Sequence, residues 1–129
     1  MRAVDTNVVV RYLVRDDLRQ AEQARALIQR EAVWVAKSVL LETEWVLRAT
    51  YSYSSASCAE ALKAIAGLPT VTVEDEAAVE KALRWFQSGL EFADALHLAS
   101  SGDSTQFVTF DRKLVRSGKR IKGVEAVFP

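Results

Sequence analysis

A chain of 129 residues, half of them hydrophobic, carries apolar material for one compact core and is too short for two ordinary domains, so a single domain over residues 1–129 is expected. Lysine plus arginine and aspartate plus glutamate number 17 each, a balance that excludes arguing for a nucleic-acid or membrane partner from net charge alone. The one cysteine, Cys58, excludes an intrachain disulfide; no leader precedes the first apolar strand, and the apolar runs are too short and too interrupted by charge for a membrane span, so a cytoplasmic protein is expected.

Along the chain, short strand-like runs alternate with longer amphipathic segments, the pattern of an α/β fold with a central, mainly parallel sheet. Residues 2–4 form the first expected strand. Residues 18–31 place Ala21, Ala24, Leu27 and Ile28 at helical spacing. After a strand at 33–36, residues 38–51 do the same with Leu41, Trp45, Val46 and Ala49. A helix at 57–68 stops at Gly67 and Pro69, a strand follows at 70–73, and a helix at 76–87 starts after the capping-type residue Asp75. A further helix at 92–101 ends before Gly102, and strands are expected at 107–109 and 124–128. Between these last two lies a run from Arg112 to Lys122 with six basic residues and no acid, a local phosphate-facing surface or a solvated helix and loop.

In open α/β sheets, ligands collect beyond the carboxyl ends of the strands. Asp5 directly follows the first strand, and Asp111 follows the strand at 107–109 after one phenylalanine. Glu42 and Asp94 each fall early in a helix whose start is expected at the same sheet edge. Such a carboxylate group stays ionised only with cations or basic side chains among its members. All-oxygen ligation suits Mg²⁺ or Mn²⁺, and one histidine with one cysteine is too little for a zinc site of the usual type. Asp5 and Asp94 can each be explained singly as helix caps. Position speaks against that for Asp94, between Phe92-Ala93 and Ala95-Leu96, and for Glu42, between Leu41 and Trp45, where an uncompensated charge is costly. Glu44 carries less weight, His97 is expected to be a packed residue, and Trp34, Trp45 and Trp85 are expected as core or interface aromatics.

These residues carry a resemblance. Val4-Asp5-Thr6-Asn7-Val8, Leu40-Leu41-Glu42 with Trp45-Val46-Leu47, Phe92-Ala93-Asp94-Ala95-Leu96-His97 and Thr109-Phe110-Asp111 stand in the order of the acidic motifs of PIN domains. The small size, Tyr12-Leu13 before an Asp-rich turn, and Trp45-Val46-Leu47-Arg48 resemble VapC toxins of bacterial toxin–antitoxin pairs. The resemblance implies a three-layer α/β/α fold and an Mg²⁺- or Mn²⁺-dependent endoribonuclease. Asp5, Glu42, Asp94 and Asp111 would be its metal ligands, with Thr6, Asn7 and Thr109 as supporting polar neighbours. It implies an RNA substrate, a cognate antitoxin whose tail lies over the site, and a homodimer. Glu91 departs from the aspartate often found three residues before the third acid. Metal-assisted hydrolysis predicts a 5′-phosphate product, whereas histidine chemistry leaves a 2′,3′-cyclic phosphate.

Three other folds or roles compete with this one. A receiver domain needs an acidic pair after the first strand, where only Asp5 stands. A haloacid-dehalogenase-type phosphatase needs an aspartate where the chain has Asn7. A PIN fold kept as a non-catalytic binding module does not explain why all four acids are present.

Overall fold

The computed structural model describes all of the chain, Met1–Pro129. Backbone contacts divide it into two compact units, Met1–Glu76 and Ala77–Pro129.

The first unit runs β1 (Arg2–Ala3), α1 (Thr6–Val14), α2 (Leu18–Arg30), β2 (Val33–Val35), α3 (Lys37–Tyr51), α4 (Ser55–Ala66) and β3 (Val71–Val73). Its strands lie in the order β1-β2-β3, with Arg2 opposite Val33 and Val33 opposite Val71. Both pairings are parallel, which requires crossover connections, and the helix pairs α1/α2 and α3/α4 supply them. α1 packs on α2 and α3, and α3 on α4. Val9, Ile28, Val33, Val35, Leu40, Leu47, Leu62 and Ile65 are the large, almost wholly buried members of this core.

Helix starts follow side-chain chemistry. The carboxylates of Asp5 and Asp17 accept the N–H groups of Thr6 and Gln20, and the Ser54 hydroxyl accepts that of Ser57. α3 differs, because its N-cap residue Ala36 has no side-chain acceptor. Glu74, just past β3, provides it instead: its Oε1 accepts the Lys37 N–H at 2.9 Å. α1 and α3 both end on a residue in the left-handed region, Arg15 at φ 60° and Ser52 at φ 57°. Arg11, Asp16, Gln20 and Tyr51 tie α1, α2 and α3 together. Arg11 donates to Gln20 at 2.7 Å, Asp16 at 3.0 Å and the Tyr51 hydroxyl at 3.2 Å, while that hydroxyl donates to Asp16 at 2.7 Å.

The second unit contains all but the first residue of α5 (Glu76–Gln87), then α6 (Phe92–Ala99), β4 (Gln106–Val108), α7 (Arg112–Gly118) and β5 (Glu125–Val127). β4 and β5 are parallel neighbours, joined through α7, with Val108 opposite Val127. Phe86 and Phe92 meet with ring centroids 5.4 Å apart, and Val79, Ala82, Ala95, Leu98, Leu114 and Ala126 are buried. At Gly118 a Cβ would sit 3.1 Å from the Cβ of Ala126, so α7 lies against β5 as closely as a residue without a side chain allows.

Strand pairing thus proves parallel throughout. The expected helices are all present, and α1 and α7 add two that periodicity alone did not single out. One face was assigned wrongly. In α3 the buried stripe is Leu40, Thr43, Glu44 and Leu47, whereas Trp45 and Ala49, placed on the apolar face from the sequence, are exposed. The helix is apolar on more than one side, so hydrophobicity did not decide its orientation. Burial of Glu44 is tolerated because Arg48, one turn on, donates to its Oε1 at 3.2 Å. No helix is long and apolar enough to cross a membrane.

Candidate active site

In the first unit, parallel pairing sets the carboxyl ends of β1, β2 and β3 on one edge, where Asp5, the start of α3 and Glu74 lie. Asp5 is exposed and acts as the N-cap of α1, its Oδ1 accepting the Thr6 N–H at 2.8 Å. Thr6 is buried, and its hydroxyl oxygen is the buried side-chain polar atom that lacks a hydrogen-bond partner. Asn7 is exposed beside a groove between α1 and α2 that Val8, Arg11, Gln20 and Leu27 also line. Glu42 lies about 7.5 Å along the axis from Lys37, at 1.5 Å per residue, and its side chain is exposed. The burial expected for Glu42 belongs to Glu44, because the helix turns its 40/43/44/47 stripe inward.

The second unit brings Asp94 and Asp111 together. Asp94 stands in the first turn of α6, and Asp111 is the N-cap of α7. Both line one cleft with Glu91, Lys113, Gly89, Leu90, Leu114 and Ser117, and its roughly 20 Å³ of solvent space is the room of about one water molecule. Burial, then the charges of Glu91 and Asp111, push the Asp94 carboxyl above its ordinary value, and His97 and Lys113 pull it only partly back. The site is short of positive charge. Thr109 and Asp111 are positioned in sequence. The Thr109 N–H donates to the Val127 carbonyl at 2.9 Å and its hydroxyl accepts the Asp111 N–H at 3.0 Å. Asp111 Oδ1 in turn accepts the N–H groups of Lys113 at 2.9 Å and Leu114 at 3.2 Å.

Glu91, left without a role by its departure from the family pattern, is a member of this cleft. His97 is exposed instead of packed, one turn beyond Asp94. The capping role weighed for Asp5 is real, as is that of Asp111, while Asp94 accepts no cap bond because the N-cap of α6 is Glu91. Neither unit holds three or more His, Cys, Asp or Glu side chains close enough to bind a metal ion. Lys113 is the residue whose part is clearest only in three dimensions, since its position two residues past Asp111 on a helix N-terminus turns it toward Asp94.

The donors in the cleft are carboxylate oxygens, the Asp94 carboxyl is held partly out of water, and the space is of atomic size. That chemistry fits a hard divalent cation. No curated protein matches the chain with significant similarity. The family model for the PIN domain matches residues 2–119, a span that contains all four acids and takes in the first unit from Arg2 and the second as far as Lys119. With its parallel strands linked by helices and its acids at strand ends and helix starts, the chain belongs to the PIN domain family and has that family's α/β/α, nuclease-type fold.

Proposed function

We propose that the protein is an endoribonuclease dependent on Mg²⁺ or Mn²⁺, acting as the toxin of a toxin–antitoxin pair in the cytoplasm and folding as one domain. The observation that carries the reading is the Asp94–Asp111 cleft, an acidic pocket short of positive charge in a PIN chain. Asp94 and Asp111, with Asp5 and Glu42 as the resemblance implies, are the residues that would hold the ion. Bound there, a divalent cation supplies Lewis acidity and lowers the pKa of water.

The chain's own residues orient and tune the site. Thr109 fixes the Asp111 backbone, and Asp111 fixes the start of α7. Lys113 places an ammonium beside the acids, where it can meet a phosphate oxygen and partly offset Asp94. Thr6 and Asn7 adjoin Asp5 in the first unit. Trp45, 58% exposed on α3, is the apolar surface that an antitoxin segment or a second copy would cover. An arginine of such a segment entering the acidic cleft would compete with the cation.

Purified protein incubated with total RNA in Mn²⁺, in Mg²⁺ and in EDTA tests the reading. Cleavage leaving 5′-phosphate ends, abolished by EDTA and reduced by about 100-fold or more in Asp94→Asn, is expected, given that even outer-shell changes at metal sites cost roughly 10–100-fold. Cleavage that survives EDTA, or full activity in the purified variant, would overturn it.

A further inference from the structure

Phe110 stands between two residues whose positions are fixed. On one side the Thr109 N–H is bonded to β5, and on the other Asp111 is bonded to the Thr109 hydroxyl and caps α7. The ring between them is 86% exposed, more than any other large apolar side chain of the protein, and Val108 beside it is 59% exposed. Leaving a phenylalanine in water forgoes the burial its ring favours. Five of the residues that follow, Arg112, Lys113, Arg116, Lys119 and Arg120, are basic and exposed, and none is a member of the ion pairs Arg2–Glu31, Arg11–Asp16, Lys37–Asp75 and Arg48–Glu44. An aromatic face beside exposed cations matches single-stranded nucleic acid, whose bases offer π-faces and whose backbone is anionic.

We propose that Phe110 is a stacking platform for one base of single-stranded RNA, with the cations in and just after α7 holding neighbouring phosphates. Phe110 directly precedes Asp111, which lines the acidic cleft, so a strand stacked on the ring is held within reach of that cleft in sequence terms. Phe110 is then a positioning residue that selects unpaired strands, because a base within a duplex offers no free face. The inference rests on the ribonuclease reading for its substrate, yet it is tested through binding and not through cleavage.

The probe is a fluorescein-labelled ten-nucleotide oligoadenylate with 2-aminopurine at one position, titrated in EDTA against wild type, Phe110→Ala, Phe110→Trp and Phe110→Leu. Thermal melts of the variants should match wild type, as befits an exposed side chain. Phe110→Ala is expected to weaken binding by about 30-fold, the middle of the range for losing one base–aromatic stack, and to abolish 2-aminopurine quenching. Phe110→Trp should retain both and Phe110→Leu should not. Double-stranded competitor should displace the probe poorly. Equal affinity of Phe110→Ala and wild type, which is the outcome if the ring serves a protein partner, or full rescue by leucine, would overturn the proposal. Failure of the parent reading looks different: the protein binds and quenches the probe in EDTA but cuts no RNA in Mn²⁺.

Discussion

Asp111 performs two tasks that substitutions separate. Its carboxylate caps α7 and lines the acidic cleft. Asparagine caps a helix about as well as aspartate but brings no charge. Asp111→Asn should therefore melt with wild type and fail to cut RNA, whereas Asp111→Ala should fail at both, losing about 1 kcal/mol in urea denaturation. Equal stability of the two variants would show that the cap contributes nothing. Asp16 gives a pH-dependent counterpart in the first unit. The Tyr51 hydroxyl, and after it the Arg11 guanidinium, hold its carboxyl below the ordinary value. A depressed folded-state pKa adds stability above the unfolded value, and that stability is lost as the pH falls through the folded one. Tyr51→Phe should lower Tm modestly at neutral pH, with the gap to wild type closing below the ordinary carboxylate range. A gap of the same size in acid would remove the ionised carboxylate from the explanation. At this scale the sequence was informative where an acid interrupts an apolar helix start, as at Asp94. The same logic misjudged Glu42, because whether an acid on a helix faces inward depends on which stripe the helix buries.

Elements were legible where periodicity and caps agreed. α5 runs over Glu76–Gln87 as its apolar spacing predicts, and the strands lie within a residue or so of the short β-branched runs that mark them. The start of α3 was read to within one residue, but its cap was not legible, since it comes from Glu74, 37 positions along the chain. No local pattern announces a cap of that kind. Glu74→Ala should expose an unsatisfied N–H at the start of α3 and destabilise the protein by about 1 kcal/mol, the usual cost of losing a cap. Amide exchange would increase first at Lys37 and its neighbours; unchanged exchange there would mean that water replaces the carboxylate at no cost. α7 escaped periodicity because it is short and almost wholly basic on its exposed side, and Leu114 and Gly118 are its only fully buried residues.

For the whole molecule, a net charge of zero conceals a division of labour between acids and bases. Acids line the cleft together with Lys113, and further exposed bases follow along α7 and just after it. The family match reaches into both units, so the PIN pattern was readable from the order of four short motifs even though no single one was decisive. An Asp94 carboxyl raised above its unfolded value subtracts stability at pH values above the folded pKa, and a cation bound beside it removes that penalty. Mg²⁺ or Mn²⁺ at a hundred times its Kd should then stabilise the protein by about 2.7 kcal/mol, the linkage value for a ligand that binds only the folded state. The rise in Tm should vanish in Asp94→Asn. A rise of the same size in that variant would place the ion elsewhere.

Arg15 and Ser52 end their helices in a backbone region where an L side chain costs about 1–2 kcal/mol and glycine costs almost nothing. Two helix ends in the first unit therefore hold back stability that a one-residue change would release. Arg15→Gly and Ser52→Gly, which leave the acids and α7 untouched, should each raise Tm once the greater freedom of glycine in the unfolded chain is subtracted. Together they offer a sturdier background in which weakened active-site variants can still be purified folded.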